Sequence, residues 1–130
     1  MATLLPPFRL RVLVVDACPD TRSASLLLLA LWGHEGRAAR DGPSALAAAR
    51  RFRPEVVLAD LALPGMDGYR LARRLRSVRR LRGTLLVAVT AQGAAACRRK
   101  ARAAGFDGYV IKPAGLLEMR TLLAACSECR

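Results

Sequence analysis

Short aliphatic runs without polar alternation, separated by longer stretches with helical spacing, restrict this chain more than any other feature. Four runs stand out: Arg11–Val15 (RVLVV), Val56–Ala59 (VVLA), Leu85–Val89 (LLVAV) and Tyr109–Ile111 (YVI). A strand with one wet face alternates polar and apolar residues. These runs do not, so they read as strands covered on both sides. A weaker run, Glu35–Ala39, fits a short second strand.

Helical spacing fills the intervals. Asp20–Leu31 is the first such stretch, with Asp20 as expected N-cap and Gly33 as stop. Pro43–Phe52 is opened by Asp41-Gly42-Pro43. Asp67–Val78, Ala94–Ala104 and Gly115–Ala125 complete the set, and Gly105 can take the left-handed conformation past a helix end. Strands and helices in strict alternation predict an α/β fold with a doubly wound, five-stranded parallel sheet between helical layers. At 130 residues, one domain with the flavodoxin-like strand order 2-1-3-4-5 is the expected architecture. Residues 1–9 read as a leader, 10–125 as the folded domain and 126–130 as a tail.

The residue that closes each run carries the chemistry. The first strand ends at Asp16, the third at Asp60, the fourth at Thr90 and the fifth at Lys112. In a parallel sheet all carboxyl ends share one edge, and ligands bind in the crevice there. Two carboxylates, a hydroxyl and an ammonium therefore converge from four strands. Paired carboxylates repel, and a divalent cation relieves the repulsion. Hard oxygen donors in an incomplete protein shell suit Mg²⁺, which keeps waters and bridges to phosphate. A lysine supplies a point charge for a phosphoryl oxygen, and a carboxylate can itself be the nucleophile. The set points to phosphoryl transfer onto an aspartate.

The segments VLVVDACPD, PEVVLADLALPGMDGY, LLVAVTA and AGFDGYVIKP resemble the successive motifs of response-regulator receiver domains, over nearly the whole chain from Leu10 to Leu123. The resemblance implies that Asp60 is the phosphoacceptor and that Asp16 belongs to an acidic pair holding Mg²⁺. Ala62 would offer its backbone carbonyl to the metal. Thr90 would capture the phosphoryl group, Lys112 would contact it, and Tyr109 would be the aromatic switch that turns inward when Thr90 moves. A cis bond between Lys112 and Pro113 is also implied. The implied role is that of a stand-alone regulatory module rather than an enzyme, carrying an aspartyl phosphate in a two-component phosphorelay. A histidine kinase or histidine phosphotransfer protein would donate, and an output protein would respond.

One departure matters. The family has two adjacent acids after the first strand, and here the second position is Ala17. Loss of a direct metal ligand weakens Mg²⁺ binding. The alternative is a degenerate, phosphorylation-independent receiver acting as a protein–protein interaction module.

Other features point elsewhere less specifically. A net charge of +12, from 20 Arg and two Lys against ten acids, reads first as a solvated Arg-rich surface without a dedicated partner, and otherwise favours an anionic partner. Arg70, Arg73, Arg74, Arg76, Arg79, Arg80 and Arg82 cluster in and after the third helix, and Arg98, Arg99, Lys100 and Arg102 lie on the fourth. No recognition-helix motif accompanies them and only Tyr69 is near for stacking, so an acidic protein is expected before nucleic acid. Cys126 and Cys129 fall near a helix C-terminus, where the dipole does not activate a thiol. His34 and Cys97 lack zinc-site spacing, and Cys18 reads as a small buried residue. The largely apolar run Ala24–Trp32 is too short to span a bilayer, so no membrane partner and a cytoplasmic location are expected.

Overall fold

The computed structural model describes residues 9–91, 95–112 and 116–128. Five strands form one parallel sheet: β1 (Arg11–Val15), β2 (Glu35–Ala39), β3 (Val56–Asp60), β4 (Leu85–Thr90) and β5 (Gly108–Ile111). Their order is β2-β1-β3-β4-β5, as the alternation of elements predicts. Helices α1 (Pro19–Leu31), α2 (Gly42–Phe52), α3 (Gly68–Ser77), α4 (Ala95–Ala104) and α5 (Leu116–Glu128) connect or follow the strands. A 3-10 turn at Arg79–Leu81 leads from α3 to β4.

Unbroken aliphatic strands make sense because each face of the sheet has its own core. Leu13, Val15, Val57, Ala59, Leu86 and Ala88 pack with α2, α3 and α4 residues such as Ala49, Leu71 and Ala101. Val12, Val14, Val56, Leu58, Val87 and Val89 point the other way, towards Leu29 of α1 and Met119 and Leu123 of α5. Successive residues of one strand thus enter opposite cores, which is the period-two geometry of a strand.

Helix boundaries follow local chemistry. Asp41 caps α2: its carboxylate accepts from the Ser44 N–H at 2.9 Å, and Ser44 reciprocates to the Asp41 N–H. Asp67 caps α3 through the Arg70 N–H. Gly33 and Gly105 have φ of +89° and +115°, as expected of stop residues. Asp20 is not the N-cap of α1. The helix begins at Pro19, because proline suits the first helical position, and this places Cys18 at the cap position. Asp20 then sits in the first turn, where its charge favours the helix dipole. Cys18 is exposed rather than buried, since the chain leaves the sheet edge at Ala17 before turning. Helix α5 ends at Glu128 rather than Ala125. Residues 1–8, Pro113 with its peptide bond, and Cys129 lie outside the described residues.

His34 is the buried polar residue that ties the start of β1 to the end of α1. Its Nδ1 accepts from the Leu10 N–H at 3.1 Å. Burial pushes the imidazole pKa below its ordinary 6.5, and the charge of Glu55 opposes this in part. A depressed folded pKa means the unfolded chain binds more protons, so this contribution is complete above pH 6.5 and is lost as pH falls below it. The wild type is therefore expected to lose stability between pH 7 and roughly 5 more steeply than His34→Gln. Chemical denaturation at several pH values checks this. Parallel curves for the two proteins would show that His34 is not responsible.

Candidate functional site at the carboxyl edge of the sheet

Asp16, Asp60, Thr90 and Lys112 meet at one edge. Asp16 follows β1 directly, Asp60 and Thr90 are the last residues of β3 and β4, and Lys112 follows β5. The Lys112 ammonium lies 2.6 Å from Asp16 Oδ2 and 3.0 Å from Asp60 Oδ2. One cation therefore bridges carboxylates 44 residues apart in the chain.

Each group is fixed by backbone. Asp16 is buried, and its second oxygen accepts from the Cys18 N–H at 2.9 Å. Its N–H donates to the Ala39 carbonyl of β2, and its own carbonyl accepts from the Arg22 guanidinium at 2.7 Å. Asp60 is half-buried, and its second oxygen accepts from the Ala62 N–H at 2.9 Å. The Lys112 N–H donates to the Thr90 carbonyl at 2.8 Å, which locks the ends of β4 and β5 together. Thr90 itself is buried. Burial alone would lower the pKa of Lys112, but hydrogen bonds and charge from Asp16 and Asp60 outweigh it, so the ammonium titrates above its ordinary value. The cation is thus retained throughout the neutral range.

The loop between Asp60 and α3 is built on close approach. The Gly68 N–H donates to the Leu61 carbonyl at 3.0 Å. A Cβ on Gly68 would stand 2.5 Å from the Asp60 carbonyl and 2.7 Å from Leu61 Cα. Both are backbone atoms and cannot swing aside. Gly68→Ala is expected to cost about 1–3 kcal/mol and to displace Asp60 from Lys112. A denaturation curve gives the first effect and the chemical shift of the Lys112 ammonium the second. Unchanged values in both would show that the loop yields freely.

Tyr109 is half-buried on β5, packed against the core under α3 and α4, with the Arg98 guanidinium 4.8 Å from its ring centre. It lies three residues before Lys112 in the chain.

Two features escape sequence reasoning. Arg22, on the first turns of α1, holds the Asp16 carbonyl; nothing in the sequence separates it from nineteen other arginines. A cavity of about 390 Å³ opens beside Asp16, Asp60 and Lys112, between Leu28 of α1 and Val14, Leu58 and Val110 of the sheet. Its apolar walls lower the local dielectric and strengthen the carboxylate–ammonium attraction. The leucine-rich stretch of α1 carries more apolar side chains than one face can bury: Leu28 lines this cavity, while Leu27 and Leu31 remain 63% and 64% exposed.

The family model for the response regulator receiver domain matches residues 12–124, which includes every residue of this edge. The chain belongs to the response regulator receiver family. The receiver is 40% identical over 114 residues to the probable transcriptional regulatory protein TcrX of Mycobacterium tuberculosis, covering 88% of this chain and 48% of that protein. It is 32% identical to the gliding motility regulatory protein of Myxococcus xanthus over 80% of this chain and 13% of that protein. The receiver thus spans half or less of these two relatives. Among solved structures, the chemotaxis response regulator CheY4 of Vibrio cholerae is similar with a TM-score of 0.83 and 26% identity, over 89% of this chain and 99% of that one. The receiver domain of sensor histidine kinase PA1611 from Pseudomonas aeruginosa, solved with magnesium in its active-site cleft, gives 0.83 and 26%, over 93% and 99%. Receivers are regulatory signalling domains of two-component systems. No helix among the described residues of this one is long and apolar enough to cross a membrane.

Proposed function

We propose that this receiver accepts a phosphoryl group on Asp60 from a histidine kinase or phosphotransfer protein and passes the signal to an output partner. The single observation that carries the reading is the Lys112 ammonium bridging Asp16 and Asp60 at 2.6 and 3.0 Å. In the proposed step an Asp60 oxygen attacks phosphorus. The bond from phosphorus to the donor's imidazole nitrogen breaks, and the nitrogen keeps the electron pair. Lys112 already lies against Asp60 and can follow the phosphoryl oxygens as charge builds on them. Thr90, at the end of the neighbouring strand, would bond a phosphoryl oxygen, and Tyr109 would move into the space it leaves. A two-state surface biased by the new charge would then meet the output partner.

The donor set tests whether Mg²⁺ fits. Asp16 and Asp60 aim oxygens at one cation-sized point, and the Ala62 carbonyl is adjacent in sequence to the loop that holds Asp60. Hard oxygen donors of this kind suit Mg²⁺. Bound there, the ion would neutralise charge on the transferring group. The third acid is missing, because position 17 is an exposed methyl. Among the described residues no group of three His, Cys, Asp or Glu could hold a metal.

That second observation favours the alternative of a degenerate, phosphorylation-independent interaction module, in which Lys112 acts as the permanent counter-ion of the acid pair. Incubating the protein with acetyl phosphate over a wide range of Mg²⁺ and measuring intact mass separates the two. Phosphorylation mapped to Asp60 is the expected result. No label at any Mg²⁺ concentration would remove the phosphorelay reading. Partner binding equal for wild type and Asp60→Asn would then support the alternative.

A further inference from the structure

The opposite edge of the sheet carries a feature that phosphoryl transfer does not use. The C-terminus of α2 and the 3-10 turn after α3 enclose a groove of about 410 Å³, lined by Arg50, Arg53, Arg79 and Arg80 around Val78 and Leu81. All four guanidinium-bearing residues are exposed. None of them takes part in any ion pair formed among the described residues. Between Gly42 and Phe106 the sequence holds only three acids, and each is engaged elsewhere. Glu55 accepts from the Arg11 N–H, Asp60 meets Lys112, and Asp67 caps α3.

Basic residues at a helix C-terminus complement the dipole, which accounts for one or two of them. It does not account for Arg53. That residue has φ +52° and ψ +62°, the left-handed C-cap conformation that glycine adopts at no cost. It is fixed there by its N–H donating to the Ala49 carbonyl at 2.9 Å and its carbonyl accepting from Arg11 Nε at 3.0 Å. A long cationic side chain thus stands on a rigid base where the backbone alone would favour glycine.

We infer that this groove binds an acidic segment of a partner protein, with carboxylates paired to the four arginines and an apolar side chain resting on Val78. Guanidinium forks match carboxylates in pairs. The half-buried Val78 and buried Leu81 give the floor an apolar character that a bare phosphate chain would not use. Among the described residues no aromatic side chain lines the groove for stacking a base. The site lies at the amino-terminal edge of the strands, so it leaves the Asp60 edge free.

The test uses a fluorescein-labelled peptide Glu-Glu-Leu-Glu-Glu and fluorescence anisotropy with the whole chain. Arg50→Glu with Arg79→Glu should weaken binding at least about tenfold. An equal charge change on α4, Arg99→Glu with Arg102→Glu, should weaken it no more than about threefold. Arg53→Gly suits the backbone and keeps the fold, so its loss of affinity cannot be assigned to unfolding. Asp60→Asn should bind the peptide like wild type whatever happens in phosphorylation assays, which keeps the two readings separable. Equal losses in the two double variants would overturn the inference, as would Arg53→Gly binding at full strength. So would a peptide with glycine for leucine binding equally well, or displacement by a short DNA duplex or tripolyphosphate at far lower concentration than by unlabelled peptide.

Discussion

Asparagine in place of Asp60 is expected to leave the protein folded and wholly unlabelled by acetyl phosphate and Mg²⁺. The amide is nearly isosteric with the carboxylate, so its oxygen can still accept from the Ala62 N–H, now at 2.9 Å. What disappears is the nucleophilic charge. An amide oxygen in this position cannot form a stable bond to phosphorus, so labelling should fall below detection by intact mass rather than by a modest factor. The cost in stability should be small. Lys112 keeps its 2.6 Å contact with Asp16 and loses only the partly exposed one with Asp60. A change within about 1 kcal/mol is expected for that loss. Equal labelling of the variant would move the acceptor to another residue and undo the proposed chemistry.

Ala17→Asp should raise Mg²⁺ affinity by at least about tenfold, read by isothermal titration calorimetry. Position 17 is exposed and lies between the buried Asp16 and the N-cap of α1, so a carboxylate fits there without clash. The backbone around it is already held by the Cys18 N–H on Asp16 and by Arg22 on the Asp16 carbonyl. The new acid adds negative charge beside the Lys112 bridge, so a divalent ion gains more than a monovalent one. Faster labelling of Asp60 in the variant should accompany tighter metal. An affinity that does not change would mean that Lys112 holds the carboxylates too firmly for a metal to compete, and would favour the interaction-module reading.

Most of the fold was legible because strand and helix periods differ and because glycines, prolines and caps mark where the elements begin and stop. Runs such as RVLVV and VVLA reported burial on both sheet faces, and the two separate cores bear that out. The start of α1 differs from the expected Asp20 cap because Asp20 and Pro19 both carry start signals, and proline at the first helical position prevails. Cys18 is exposed against expectation for a related reason: a small residue beside a buried acid gives no sign of which way the chain turns.

The amino-acid sequence alone determined the order of elements and which residue closes each strand, since both depend on local pattern and chain order. Only the tertiary structure decided that Lys112 touches both carboxylates, that Gly68 lies against the Asp60 backbone, and that Arg50, Arg53, Arg79 and Arg80 ring a groove. Contacts of that kind join residues distant in the chain. Their distances depend on packing to fractions of an ångström, which residue spacing does not encode.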